Sequence, residues 1–555
     1  MKERIFIGVA WPYANGSLHL GHIAGAYLPP DIFARYHRAK GDEVLMVSGS
    51  DQHGTPITVR AERERKAPKE IAERYHREFL DSWQRLGISF DLFTSTGTQN
   101  HTEVVQEIFL DLLNNGYIYK DSMTLPYCPS CKKYLPDRYV EGTCPYCGYP
   151  SARGDQCEEC GKPLNPSELI DSRCAFCSTP PQTRDSEHFF LRLSAFQGEL
   201  LSWVKKQGHW RQSVLNFTTG LLNGGLKDRA ITRDIEWGVP IPVPGFEDKR
   251  IYVWFEAVIG YLSASKEWAQ VNGDGERWRD FWHGETKSYY FIGKDNIPFH
   301  TIIWPAMLMG YGGLNLPYDV PANEFLTIEG RQLSTSRNWA VWLPDYLERY
   351  QPDPLRYFLS VSMPESADSD FSWREFVRRN NDELVATYGN LVHRVLTFAY
   401  RNFNGSVPQP VEIDPLGKEL LGKAQATLDS MDRLLYRCRF REAIKGAMSL
   451  AQEANRYLEE RSPWKAIREG RESPATTVYA ALSVINCLKT VLYPFLPFSS
   501  QRLHTFLGFK GRIEDEGWAF HPLPPGQRLE PPEPLFTKLD EWVVEMEMGR
   551  LGEKS

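Results

Sequence analysis

Residues 4–22 read RIFIGVAWPYANGSLHLGH. The run from Arg4 to Ala10 is almost unbroken in apolar residues, the pattern of a strand covered on both faces. Pro12 to Gly16 is turn-forming, and from Leu20 to Arg38 apolar residues return at helical spacing. A second strand-like run, Val44 to Ser48, follows Gly41. Strand, helix and strand within about 45 residues open a parallel α/β sheet, whose sites form at the carboxyl ends of strands. His19, His22 and Asp51 fall at such ends. The two histidines stand at a helix start, where free N–H groups and the helix dipole favour phosphate, and Gly21 lets a nucleotide approach the backbone. Four residues of this type also fit a structural histidine pair, but their place after the first strand favours a site.

The α/β pattern is interrupted by a Cys-rich segment and resumes with strand-like runs at Ile251 to Phe255 and Tyr289 to Ile292. We therefore expect one sheet split by an insertion. From about Phe376 the pattern turns helical, with Leu428, Met431, Leu435 and Cys438 at three- and four-residue steps, and likewise Val478, Ala481, Leu482 and Ile485. Pro522 to Pro534, PLPPGQRLEPPEP, is too proline-rich for a helix or an inner strand and leads as a tether to a short final helical segment.

A chain of 555 residues exceeds one ordinary core, and its 42% hydrophobic and 24% charged residues are those of a folded, soluble protein. A formal net charge of -7 excludes a surface that clings to nucleic acid everywhere, leaving room for local basic faces. The N-terminus has no signal-peptide pattern and no stretch reaches about 18 unbroken apolar residues, so the expected location is cytoplasmic, without a membrane.

Eight of the ten cysteines form four CxxC pairs: Cys128 and Cys131, Cys144 and Cys147, Cys157 and Cys160, Cys174 and Cys177. Each pair offers two ligands on one tight turn, and eight thiolates suffice for two tetrahedral zinc sites. Spacing alone leaves three ways of combining the pairs. With four protein ligands per ion no position remains for water or substrate, so such zincs are structural.

The segment from Tyr13 to His22 resembles the HIGH signature of class I aminoacyl-tRNA synthetases, with Leu20 in the second place. Pro12 to Ser17, Gly49-Ser50-Asp51-Gln52-His53-Gly54-Thr55-Pro56, Tyr252-Val253-Trp254-Phe255-Glu256-Ala257 and Phe291-Ile292-Gly293-Lys294-Asp295 are similar to the methionyl branch of that class, in the expected order. The similarity runs from about residue 4 to about residue 550.

The resemblance implies a two-step ligase reaction: methionine is activated by ATP to the adenylate, then transferred to the 3' terminal adenosine of tRNA(Met). It places His19, Gly21 and His22 on the ATP phosphates, Gly293, Lys294 and Asp295 on the nucleotide, and Asp51 on the methionine ammonium. Trp11, Tyr13, Trp254, Ala257, Tyr261 and His300 become the methionine pocket, where aromatic walls suit a flexible, polarizable thioether. Trp11 replaces a frequent Leu and Val258 a frequent Pro. The second class I signature, KMSKS, corresponds to Gln332-Leu333-Ser334-Thr335-Ser336, flanked by Arg331 and Arg337. Both lysines are absent, and the two arginines are the candidates to replace them. Ser334 and Ser336 keep the signature's serines, and magnesium is expected to accompany ATP.

The same resemblance favours a nested metal arrangement, with Cys144, Cys147, Cys157 and Cys160 around one ion and the outer four around the other. It assigns anticodon contacts to Asn390, Arg394 and Trp464, to which Arg433, Arg437, Arg439, Arg441 and Lys445 could add phosphate contacts. The expected fold is a Rossmann-like parallel sheet split by a zinc-binding insertion, followed by an all-α bundle. We divide it into two catalytic halves (1–117 and 251–325), the insertion (118–250), a linking region with the KMSKS-like loop (326–375), the anticodon bundle (376–510) and a C-terminal tether with its helix (511–555). A monomer is expected, because the chain ends before a further domain could fit. The rivals are a class I synthetase for leucine, isoleucine or valine, against which the mostly metal-binding insertion argues, and a catalytically weak tRNA-binding relative, suggested by the missing lysines.

Overall fold

The structure, a computed structural model, describes residues 2–154, 157, 159, 160, 162, 164, 166–335, 337–468 and 474–552, with the side chains of all but 137, 167, 467 and 468. Its centre is a parallel sheet of five strands: β1 (Arg4–Val9), β2 (Glu43–Ser50), β3 (Leu92–Ser95), β4 (Lys287–Gly293) and β5 (Ala322–Asn323), in the spatial order β5-β4-β1-β2-β3. Ile5, Phe6, Ile7 and Val9 are buried on both faces of the sheet, which is why β1 reads as an unbroken apolar run. Strand order reverses between β1 and β4, so a crevice opens at their carboxyl ends. Beyond β1 the chain enters a helix through a short turn at Leu20–His22, passes π-helical Ile23–Tyr27 and continues as Leu28–Ala39.

Between β3 and β4 lies the insertion. An antiparallel sheet joins Ile118–Cys128 to Gln182–Leu191 along ten residue pairs, and a smaller one joins Ala152–Arg153, Val140–Thr143 and Ile170–Cys174. The expectation of a strand at Ile251 to Phe255 is overturned: a two-residue strand, Arg250–Ile251, gives way to the helix Val253–Val271. Val253, Phe255, Val258, Ile259 and Leu262 are buried along that helix, so tertiary packing overrides the strand preference of the local run.

A three-stranded sheet, Leu326–Ile328, Arg331–Gln332 and Ser369–Phe371, links the second half of the catalytic region to the bundle. Long helices follow, including Asn390–Asn402, Pro415–Tyr436, Phe440–Arg461 and Ala475–Leu492. Cys438 departs from the helical reading: it lies past the end of Pro415–Tyr436, with φ 53, in the turn to the next helix. Ala475–Leu492 is, among the described residues, the one helix long and apolar enough to cross a membrane, and 89% of it is buried inside the protein. Its apolarity builds the bundle core. The proline-rich segment carries no helix or named strand and leads to a last helix, Trp542–Arg550.

Arg356, fully buried, ties bundle to sheet. Its guanidinium donates to Asp31 Oδ2 (2.6 Å), on the helix behind β1, and to the carbonyls of Pro494 (2.9 Å) and Phe495 (2.8 Å) between two bundle helices. Such a charge is tolerable in the interior only because each of its nitrogens finds an acceptor, Nη1 reaching the Leu86 carbonyl (3.3 Å).

Candidate active site and metal centres

The ends of β1 and β2 are joined before either loop departs: Ala14 N–H donates to Asp51 O (2.8 Å) and Asp51 N–H to Pro12 O (2.8 Å). This brings the residues after β1 beside those after β2. His19 and His22 stack, ring centroids 3.7 Å apart and planes 18° from parallel, and the His19 backbone N–H donates to His22 Nδ1 (3.1 Å). A ring nitrogen that accepts carries no proton, so the His22 proton sits on Nε2. Burial, and for His19 also the neighbouring ring, holds both imidazoles below their ordinary range, His22 at about 4. Both rings are therefore neutral donors at pH 7, and His19 Nδ1 has no partner among the described residues.

The KMSKS-like loop lies against this turn. Leu20 N–H donates to Val341 O (3.1 Å) and Leu343 N–H to Leu18 O (2.8 Å), while a Cβ on Gly21 would come 2.6 Å from Leu333 Cδ1. The loop closes on itself through paired bonds between Ser334 and Trp339 (3.0 and 2.9 Å). Gln332 and Thr335 are exposed, and Ser336 lies outside the described residues. Both arginines are engaged elsewhere: Arg331 covers the Trp339 ring at 4.8 Å, and Arg337 forms a 3.0 Å ion pair with Glu159, between Cys157 and Cys160. Lys294, at the end of β4, is held by Glu324 (2.8 Å) and Asp368 (3.0 Å) and lies 4.0 Å from the Phe325 ring centre, while Gly293 is half-buried and Asp295 exposed beside it.

Asp51 is 3% exposed, and among the described residues no side-chain cation pairs with it; its one side-chain hydrogen bond comes from His53 N–H (3.1 Å). Burial, then the charge of Glu256, raises its carboxyl well above the usual range. Tyr13 lies beside it, in a backbone bridge to Asp51. Trp254 Nε1 donates to Tyr13 Oη (3.2 Å) and its ring meets Phe299 edge-on, next to half-buried Ala257. His300 Nδ1 lies 2.9 Å from the Asn296 carbonyl and so carries the proton, leaving Nε2 to accept from Tyr261 Oη (2.7 Å). Burial pushes His300 down to about 4. Trp11 fills the space over two glycines: a Cβ would lie 2.3 Å from its ring at Gly49 and 2.6 Å at Gly260.

Sequence reasoning passed over four residues behind this pocket. Glu256 is fully buried and accepts from His53 (2.8 Å) and His101 (2.9 Å), and His101 meets Ser263 Oγ (2.8 Å). His53 and Glu256 lie inside quoted motifs, whereas His101 and Ser263 carry no local signal at all.

The eight clustered cysteines fall into two groups that can hold a metal ion, Cys128, Cys131, Cys174 and Cys177, and Cys144, Cys147, Cys157 and Cys160. This is the nested arrangement. Sulfur pairs across the groups stand 3.4 Å (Cys128 and Cys177), 3.9 Å (Cys131 and Cys174), 3.9 Å (Cys144 and Cys160) and 3.6 Å (Cys147 and Cys157) apart. A tetrahedron with metal–sulfur bonds of about 2.3 Å has edges of about 3.8 Å, so the donor sets fit a zinc-sized ion. In the bundle, the Arg394 guanidinium covers the Trp464 ring at 4.4 Å, and its Nε is buried with no partner among the described residues. Asn390, one turn earlier on the same helix, is exposed. Arg433, Arg437, Arg439, Arg441 and Lys445 are exposed around the turn between two bundle helices, with Arg439 paired to Glu442.

Residues 5–396 match the family model described as tRNA synthetases class I (M), and residues 407–552 the one described as the anticodon binding domain of methionyl tRNA ligase. A methionine--tRNA ligase of Dehalococcoides mccartyi is 62% identical over 552 residues, covering 100% of both chains, and one of Thermomicrobium roseum is 53% identical over 579 residues, covering 99% of both. The solved Mycobacterium tuberculosis methionyl-tRNA synthetase in complex with methionyl-adenylate superposes with a TM-score of 0.80 at 26% identity, over 97% of this chain and 100% of that one. The matches run along nearly the whole chain, which belongs to the methionyl-tRNA synthetases of class I.

Proposed function

We propose that the chain is a methionine–tRNA ligase: it activates methionine with ATP and transfers it to the 3' terminal adenosine of tRNA(Met). The carrying observation is a buried acid that has no counter-cation among the described residues, Asp51, bridged to Tyr13 and joined by backbone bonds to the segment that leads into a neutral imidazole pair at a helix start. An amine-bearing substrate supplies the missing cation, and the imidazoles face phosphate.

In the first step a methionine carboxylate oxygen bonds to the ATP α-phosphorus and pyrophosphate leaves; in the second a ribose hydroxyl attacks the adenylate carbonyl and AMP leaves. Neither step needs a protein nucleophile, so the chain's share is positioning and charge stabilisation. Asp51 takes the ammonium, with Trp11, Tyr13, Trp254, Ala257, Tyr261 and His300 around the side chain. His19 and His22 donate to phosphate oxygens, His22 from Nε2, and Gly21 leaves room for them. Gly293, Lys294 and Asp295 hold the nucleotide. Arg331, Gln332, Ser334, Thr335, Ser336 and Arg337 close over the pyrophosphate, which requires Arg337 to leave Glu159 and Arg331 to leave Trp339. Magnesium enters with ATP as its counter-charge.

Asn390, Arg394 and Trp464 read the anticodon, the indole and guanidinium offering faces on which unpaired bases stack. Zinc is the ion we assign to both cysteine groups, where its chemistry is to crosslink the knuckles. The division at 117, 250, 325, 375 and 510 is our functional parsing: catalytic halves around a metal-bearing insertion, then linker, anticodon bundle and returning C-terminal segment. We read the chain as a cytoplasmic monomer, and sedimentation at the mass of one chain checks its oligomeric state. Methionine-dependent ATP–pyrophosphate exchange, compared with leucine, isoleucine and valine, tests the reading; exchange with none of them, or with another and not methionine, overturns it.

A further inference from the structure

Behind the pocket runs a buried chain of polar groups that packing alone does not require. It starts at Asp51, which accepts from the backbone N–H of His53 (3.1 Å). The His53 ring reaches Glu256 Oε1 (2.8 Å), the other carboxylate oxygen meets His101 Nε2 (2.9 Å), His101 Nδ1 meets Ser263 Oγ (2.8 Å), and Ser263 Oγ lies 3.1 Å from the Gly260 carbonyl. Gly260 is the residue on which the Trp11 indole rests. Glu256, His101 and Ser263 are no more than 1% exposed. Apolar side chains of the same volume would fill this space at least as stably.

The arrangement does something apolar packing would not. Two carboxylates lie buried near one another, and both imidazoles are spent on Glu256, leaving none for Asp51. Glu256 therefore has both oxygens satisfied, and the acid still lacking a cation is the one facing the pocket. Its turn is anchored from behind as well: the edge of Trp237 packs on the His53 ring, and Trp237 Nε1 donates to the Gln52 carbonyl (2.6 Å).

We propose that Glu256 is a positioning residue of the amino-acid pocket: through His53 it fixes the turn that presents Asp51 to the substrate ammonium, while His101 and Ser263 hold Glu256 in place from behind. The proposal rests on the reading of Asp51 as the ammonium acid. A cycle of Asp51→Asn, Glu256→Gln and the double variant separates the two ideas, with methionine and ATP affinities read by pyrophosphate exchange and equilibrium binding.

Asp51→Asn raises the methionine KM by about a hundredfold, and Glu256→Gln by about tenfold with ATP KM unchanged, the sizes of a lost charged and a weakened hydrogen-bonded contact. If Glu256 acts through Asp51, adding Glu256→Gln to Asp51→Asn changes nothing further. Multiplying effects in the double variant, or an unchanged methionine KM in folded Glu256→Gln, overturns the proposal. An unchanged KM in Asp51→Asn overturns the ammonium reading itself. Should Glu256→Gln not fold, His101→Gln enters the same cycle with the same expectation and the same ways to fail.

Discussion

The turn carrying His19 and His22 and the knuckle carrying Cys157 and Cys160 are held in different ways, although the loop packed on that turn reaches the knuckle through the ion pair Arg337 to Glu159. The turn follows a strand buried on both faces, is joined to Val341 and Leu343 by backbone bonds, and leads into a helix whose residues Leu28 to Ala34 are all buried. Its shape belongs to the core. The small knuckle sheet has strands of two to five residues, and its buried cluster draws on Cys128, Cys144, Cys157 and Cys174 themselves. Such a segment has too little apolar surface to offset its ordering entropy. Metal crosslinks are what its cysteines can add. The difference teaches that the histidine turn is shaped by the core itself, whereas the insertion tip, on our assignment of zinc to its cysteines, depends on ions.

The largest expected effect separates the two directly. Stripping metal with a chelator, or replacing Cys157 by Ser, removes a contribution on the order of 10 kcal/mol to the order of the knuckle. Amide exchange then rises from about Leu135 to Cys177 while β1 and β2 keep their protection. Equal loss of protection in both regions would end the contrast, and metal analysis should count two ions per untreated chain.

Next in size is His22→Ala. One charge-assisted contact to phosphate is worth about 1.5–3 kcal/mol, so adenylate formation falls roughly ten- to a hundredfold. Thermal stability changes little, because the half-buried ring accepts a single backbone bond. A rate within twofold of the parent would remove His22 from the phosphate site. The sign of its titration is checkable too. With a folded value near 4 and an ordinary value of 6.5, this histidine costs stability as pH falls from 6.5 towards 4 and nothing above.

These expectations rest on regions that differed in how openly the sequence displays them. β1 is legible because burial on both faces forces an apolar run, and the cysteine groups because ligand spacing is local. The run Ile251 to Phe255 misleads, since β-branched and aromatic residues favour strands; the helical repeat that decides the matter, Phe255, Val258, Ile259 and Leu262, lies mostly beyond it. His101 has no local pattern because its meaning depends on Glu256, 155 residues away. Lys294 is legible as a site position but not in its engagement, since Glu324 reaches it through the β4–β5 pairing and Asp368 through the linking sheet.

A smaller effect is expected far from the sheet. Trp464→Ala removes a stacking face and the cover over Arg394, costing about 1–3 kcal/mol of tRNA affinity if one base stacks there. Pyrophosphate exchange without tRNA should not change. A drop in exchange would mean that the indole serves the fold, through its packing on the bundle core, rather than the anticodon.

The smallest effect bears on the contact between the two regions compared above. Arg337 and Glu159 are 66% and 51% exposed, so their pair contributes little to stability and is screened by salt. Its influence is on where the loop rests. Glu159→Gln frees Arg337 from the knuckle and should raise the exchange rate by less than about fivefold, the whole range an exposed pair can supply. The gain should fade in high salt, because the parent pair is then already loosened. Arg337→Ala should lower the rate, since it also removes a cation the pyrophosphate needs. If both variants lower it equally, the pair assists the working loop instead of holding it back, and the knuckle becomes part of the catalytic turn's support rather than its neighbour.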